Sequence, residues 1–145
     1  MKKAIIIYKS RKGTTKKFSE KIRDYLKKKE VNSQVKSIEE IGEFEFSEYD
    51  YIFLGCWTNG LFFFMQKPEK AWIEFAKKMP VLRSKSTVLF TTYKILTGRM
   101  FREMRKHLVF ENDSNGIVEL KSRSCELLEG NQILINRFLQ EYQQI

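Results

Sequence analysis

Three hydroxyl residues, a lysine and an arginine crowd around one glycine at Ser10-Arg11-Lys12-Gly13-Thr14-Thr15. An apolar run ending at Tyr8 precedes them. An amphipathic pattern follows, with Phe18, Ile22, Tyr25 and Leu26 on one helical face. A helix N-terminus offers unpaired backbone amides and a positive dipole end. Ser10, Thr14 and Thr15 add hydroxyl donors, Lys12 adds charge, and Gly13 lets the backbone come close. The group that fits such a cradle is a phosphate. The spacing is neither a Walker loop nor GxGxxG. The alternative is an ordinary helix start with Thr14 or Thr15 as N-cap.

Two further stretches could do chemistry. Gly55-Cys56-Trp57-Thr58-Asn59-Gly60 follows an unbroken apolar run and contains Asn-Gly, a tight-turn dipeptide. A glycine peptide can reorient its carbonyl at low cost, and Trp57 offers a flat face beside it. Thr91-Thr92-Tyr93-Lys94-Ile95-Leu96-Thr97-Gly98 follows another apolar run and brings Tyr93 and apolar residues. A phosphate cradle plus two loops with aromatic or apolar faces describes a pocket for a flat ring carrying a phosphate tail.

The elements that must position these loops alternate. Strands are expected at 3–8, 31–37, 51–54, 86–92 and 116–120. Helices are expected at 14–29, 68–78, 98–108 and 130–142, with Trp72, Phe75, Ala76, Phe101, Met104 and Leu108 facing inward. Pro68 suits a helix start. The unbroken apolarity of 51–54 suits a strand covered on both faces. A β-α-β-α order implies a parallel sheet with helices on both faces. In such sheets ligands sit beyond the carboxyl ends of the strands, where strand order reverses. Segments 9–15, 55–62 and 91–98 all fall there.

The 145 residues suit one domain spanning 1–145. The N-terminal apolar stretch is short, is followed by Lys9 and lacks a cleavage site, so it reads as a strand of a cytoplasmic protein. No apolar run is long enough to cross a bilayer. Cys56 and Cys125 match no metal or redox spacing and read as inert, and no metal-ligand cluster is present. His107 reads as a solvated helix residue. There are 27 Lys and Arg against 18 Asp and Glu, a net charge of +9. Basic residues dominate up to Lys36. Glu39, Glu40, Glu43, Glu45, Glu48 and Asp50 then follow without a basic residue, and Glu39 and Glu40 read as solvated loop residues. A positive field favours anionic partners. Only charge, and no recognised motif, speaks for nucleic acid, which makes it an unfavoured partner.

The chain resembles the flavodoxins, especially the short-chain kind. Their phosphate loop reads roughly Ser/Thr-x-Thr-Gly-Asn-Thr, and Ser10 to Thr15 keep that frame. Tyr49-Asp50-Tyr51-Ile52-Phe53-Leu54-Gly55-Cys56 looks like their third strand. Leu89 to Tyr93, then Gly98-Arg99-Met100-Phe101-Arg102, looks like their fourth strand, stacking loop and next helix. The resemblance implies a flavodoxin-like α/β fold: a doubly wound five-stranded parallel sheet, order 2-1-3-4-5, binding FMN non-covalently. Ser10, Arg11, Lys12, Gly13, Thr14 and Thr15 would form the phosphate loop. Cys56, Trp57, Thr58, Asn59 and Gly60 would line one side of the ring. Thr91, Thr92, Tyr93 and Ile95 would line the other.

The departures from that family bear on mechanism. Lys12 replaces a hydroxyl residue and Thr14 replaces Asn. Trp57 stands where a small residue or proline is usual, and Ile95 where the best-matching members have a stacking Trp. Acidic residues of the third loop are absent, and Lys94 and Arg99 appear instead. Reduced flavin is anionic. One positive charge ~10 Å away at an effective dielectric of ~20 would favour that anion by roughly 1.7 kcal/mol. A less reducing couple and a redox partner protein with an acidic docking face are therefore expected.

The run Leu61-Phe62-Phe63-Phe64-Met65 cannot point all its rings into one layer. Either Phe62 and Phe64 pack under the following helix, or at least one ring is left for a homodimer contact through Phe62–Phe64 or for a hydrophobic partner, lipid-like substrate or membrane surface. Three readings follow. The first is an electron carrier. The second is an FMN-dependent oxidoreductase acting on a quinone or porphyrinogen. The third is a cofactor-free basic binding module. A phosphorylated receiver domain, which shares the topology, is excluded because Lys9-Ser10 and Gly55-Cys56 stand where its aspartates must be.

Overall fold

The structure, a computed structural model, describes residues 1–61 and 64–143. Its main sheet holds β1 (Lys3–Lys9), β2 (Asn32–Ser37), β3 (Tyr51–Trp57), β6 (Thr87–Thr92) and β7 (Val118–Ser122). They run parallel in the order β2-β1-β3-β6-β7. This is the expected five-stranded arrangement. The labels differ because a second, antiparallel pair, β4 (Asn59–Leu61) and β5 (Phe64–Lys67), intervenes. Five helices complete the described fold: α1 (Thr14–Lys28), α2 (Ile38–Ile41), α3 (Lys70–Lys77), α4 (Met100–Lys106) and α5 (Glu129–Gln143).

Alternation along the central strands explains the two layers. Ala4, Ile6 and Tyr8 face α1 and α5, where they meet Phe18, Ile22, Leu26, Ile135 and Phe138. Ile5 and Ile7 face the other layer, with Trp72, Ala76, Met100 and Met104. A fully buried Ile, Leu or Phe contributes about 1.5–3 kcal/mol, so both faces must be covered and the register cannot slip by one residue. Gly55 marks a close approach. A Cβ there would run into the ring of Phe90, which packs edge-on against Phe18 at 6.0 Å.

Strand order reverses at β1 and β3. The chain leaves β1 through α1 to reach β2 on one side, and returns through α2 to β3 on the other. The loops after β1 and β3 therefore diverge and leave a crevice at their carboxyl ends.

Several boundaries moved for physical reasons. Strand β3 extends to Trp57, because Cys56 and Trp57 still pair with Thr91 and Thr92. Helix α3 starts at Lys70 rather than Pro68, since Glu69 is extended and acts as its N-cap. Helix α4 ends at Lys106, with His107 as C-cap. Burial, then Lys77 and Lys106, hold the His107 imidazole below its ordinary pKa. Glu39 and Glu40 are not loop residues. They lie in α2, where Ser37 and Glu40 form a capping box and Glu39 pairs with Lys9. Phe62 and Phe63, on which the dimer contact would rest, lie outside the described residues.

Candidate functional site

Helix α1 has no side-chain cap. Its N-cap is Gly13, at φ +93°, a left-handed conformation that suits glycine. Ser10 Oγ accepts from the Gly13 N–H at 2.9 Å and folds the loop onto the helix start. Thr14 and Thr15 are helical residues, so the N-cap alternative does not hold. The first turn carries no acidic residue. Its leading amides are thus left for an outside acceptor, which the positive end of the helix favours as an anion.

The Thr15 hydroxyl has another task. It is fully buried and hydrogen-bonds the Thr92 hydroxyl at 2.6 Å, tying α1 to the end of β6. A parallel tie lies beside it. Thr91 Oγ1 donates to the Cys56 carbonyl at 2.6 Å, so the Thr58 hydroxyl, 2.7 Å away, must donate to Thr91. The Thr58 N–H donates to the Thr92 carbonyl at 2.9 Å. The expected loops are thereby locked to one another at the sheet edge.

Between them opens a cleft of about 640 Å³, within the usual range of about 300–1,000 Å³ for small-molecule sites. Ser10, Arg11, Lys12, Thr14 and Thr15 line it from the first loop. Trp57, Thr58 and Asn59 line it from the second, and Thr92, Tyr93 and Ile95 from the third. Trp57 is held in place. Its Nε1 donates to Glu69 Oε2 at 2.7 Å, and the Arg11 guanidinium lies 5.2 Å from the ring centroid. Ile95 is half exposed at the rim.

Five expected residues sit differently. The Cys56 side chain is buried in the α3 and α4 layer, not in the cleft. Cys56 is sealed inside that layer, while Trp57 packs only partly against it and also lines the cleft, and burial pushes the Cys56 thiol up to about 12. Thr91 is fully buried behind the lining, where its hydroxyl braces Thr58. Gly13 shapes the first loop without lining the cleft. Asn59 and Gly60 are not a tight turn. They are extended within β4, with Asn59 opposite Lys67.

Met65, Gln66, Lys67, Lys94, Leu96 and Arg123 also line the cleft. Gln66 is buried, and its amide fills the space a Cβ on Gly98 would need. The Asn-Gly signal pointed at a short turn, so the hairpin that delivers Met65 to Lys67 was not expected. Ending the last strand at Leu120 hid Arg123, which reaches this edge because the strand runs to Ser122. Arg123 donates to the Lys94 carbonyl at 3.3 Å. Arg11, Lys12, Lys67, Lys94 and Arg123 make the lining basic, and no carboxylate is in it among the described residues. Arg99, expected beside the cleft, instead pairs with Glu103 at 3.0 Å.

A flavodoxin domain model matches residues 5–139. The chain belongs to the flavodoxin-domain family. The flavodoxins share this fold at low identity. Two-electron reduced Megasphaera elsdenii flavodoxin has a TM-score of 0.68 at 17% identity, over 94% of this chain and 98% of that one. A Streptococcus pneumoniae flavodoxin gives 0.66 at 14%, over 98% of each. An oxidised Bacillus cereus flavodoxin gives 0.61 at 18%, over 98% of this chain and 97% of that one. No curated protein matches the chain by sequence. FMN is the cofactor of flavodoxins, and the residues present suit it. An uncapped helix start with hydroxyls and Lys12 suits a phosphate, and Trp57 and Tyr93 present aromatic surface in the same cleft. No helix among the described residues is long and apolar enough to cross a membrane.

Proposed function

We propose that the chain, as one flavodoxin-like domain over residues 1–145, carries electrons between cytoplasmic redox proteins by means of non-covalently bound FMN. One observation carries this reading. The uncapped start of α1 and the Trp57 shelf open into a single cleft at the strand-order reversal. Ser10, Lys12, Thr14 and the amides after Gly13 would hold the phosphate. Thr15 would keep that cradle fixed to β6 through Thr92. Trp57, Thr58, Asn59 and Gly60 would flank one side of the ring, and Tyr93 and Ile95 the other. Bound FMN would supply the electron chemistry. The chain's part is to bind, orient and tune it.

The basic lining gives the tuning a direction. Five cations and, among the described residues, no carboxylate in the lining favour negative charge in the cleft. FMN should therefore be held more tightly when reduced, and the couple should be less reducing than in a flavodoxin with acidic loops. The same field favours an acidic partner.

Carrier and enzyme are separated by kinetics. The FMN-loaded, reduced chain is mixed in a stopped-flow instrument with an acidic haem protein or with a soluble quinone. A carrier transfers to the haem protein rapidly and loses rate steeply as salt rises. Fast steady-state quinone turnover with no salt-dependent transfer to the haem protein would overturn the carrier reading in favour of an oxidoreductase.

A further inference from the structure

Beside the cleft, α4 and β7 enclose a second hollow of about 290 Å³. Gly98, Phe101, Arg102, Arg105, Glu119 and Lys121 line it. Its charges do not balance. Arg105 is paired with Glu119, whereas Arg102 and Lys121 have no ion-pair partner among the described residues. Glu119 is itself half-buried, and burial raises its carboxyl pKa against the pull of Arg105 and Lys121. The hollow therefore combines a fixed pair, two cations outside any ion pair among the described residues, of which Lys121 lies in the field of Glu119, and the largely buried ring of Phe101. That composition suits a carboxylate on a short apolar stem.

Size and place narrow the occupant. The hollow is less than half the volume of the cleft, too small for a nucleotide and suited to one side chain. It adjoins the cleft along the chain. Leu96 lines the cleft and Thr97 lines the hollow. Lys121 lines the hollow, and Arg123, two residues on, lines the cleft. A partner held here would stand at the rim where electrons leave. We propose that this hollow is a docking point for an Asp or Glu side chain of an acidic protein partner. Arg102 and Lys121 receive the carboxylate, and the Arg105–Glu119 pair holds the wall. The partner's role as electron acceptor rests on the FMN reading of the cleft, whereas the carboxylate site does not.

The test uses the FMN-saturated chain and a fluorescein-labelled hexaglutamate peptide, followed by anisotropy at low salt. Arg102→Gln/Lys121→Gln removes the two cations that have no ion-pair partner among the described residues. Lys27→Gln/Lys28→Gln removes equal charge from the exposed far end of α1. The hollow variant should weaken the peptide about tenfold and the control about twofold or less, since close charge pairs outweigh distant ones. Inorganic phosphate should compete only at far higher concentration, and an oligo-dT should not displace the peptide at equal charge. Equal losses in the two variants would overturn the site in favour of diffuse charge. Displacement by equimolar phosphate would make it a small-anion site, and displacement by oligo-dT a nucleic-acid surface. Either result would overturn the proposal. Repeating the titration without FMN separates the two readings. Peptide binding that depends on Arg102 and Lys121 in a chain that ignores FMN would keep the docking point and remove the carrier.

Discussion

The loop that carries residues 10–12 and the stretches 57–59 and 65–67 line the same cleft but are built by different means. The first is settled by neighbours in sequence. Ser10 Oγ accepts from the Gly13 N–H, Gly13 takes the left-handed turn, and α1 begins. The second is settled by distant partners. Thr58 is held by Thr91 and Thr92, Trp57 by Glu69 and Arg11, and Gln66 fits against Gly98. Local rules predict the first kind of loop well. They misread the second, where a tight-turn dipeptide was drawn into a strand by its pairing with Lys67.

This contrast can be broken or sharpened by mutation, and the largest effect lies beneath both loops. Gly55→Ala pushes a Cβ into the Phe90 ring, and overpacking of this kind costs about 1–3 kcal/mol or more. Chemical denaturation should show a lower midpoint, and both loops should lose ligand binding together. Unchanged stability would mean that the strand and ring are less closely set than described.

Next comes the tie between the loops. Thr15→Val leaves the buried Thr92 hydroxyl without its partner, at about 1–3 kcal/mol. It should weaken FMN about tenfold, while Thr15→Ser restores most of the loss. Riboflavin, which lacks the phosphate, should be affected much less. An equal loss for both would place the effect in general stability rather than in the phosphate cradle.

Smaller still is the Arg11 contact. It lies at the surface, so Arg11→Gln removes a cation–π interaction of about 0.5–1 kcal/mol and one positive charge. Titrations should show a few-fold loss for oxidised FMN and a larger one for reduced FMN. A variant that binds both forms as the parent does would show that Arg11 belongs to solvent.

The smallest effect tests which way Cys56 points. Its thiol is raised by burial from an ordinary value of 9.0 to about 12. The unfolded chain releases that proton first, so this contribution is complete below pH 9 and is lost as pH rises towards 12. At pH 8 a thiol reagent should modify Cys125 and spare Cys56 until the chain unfolds. Two fast-reacting thiols would put Cys56 in the cleft instead.

How much was legible follows the same division. Strands β1, β3 and β6 could be read because each alternates or runs apolar between turn signals. Helix α1 could be read because Phe18, Ile22 and Leu26 recur on one face. The first loop's residues were found for that reason. Cys56 and Trp57 could be named together but not separated. Only the packing of α3 and α4 decides that Cys56 is sealed and Trp57 is left partly open to the cleft. Arg123 and Gln66 carried no local signal at all. Strand β7 had to be extended to Ser122 before Arg123 could reach the edge, and Gln66 is defined by the space at Gly98. Arg99 looked like a rim cation until Glu103, one helical turn on, claimed it.

If the proposed function is right, one cleft holds a phosphate at the start of α1 and a flat ring beside Trp57. The most direct measurement is parallel titration of the purified chain with FMN and riboflavin, following flavin and tryptophan fluorescence. Both should bind saturably at one site, with FMN at least tenfold tighter and with flavin and Trp57 emission quenched together. A chain that binds neither, or that binds both equally well, would contradict it.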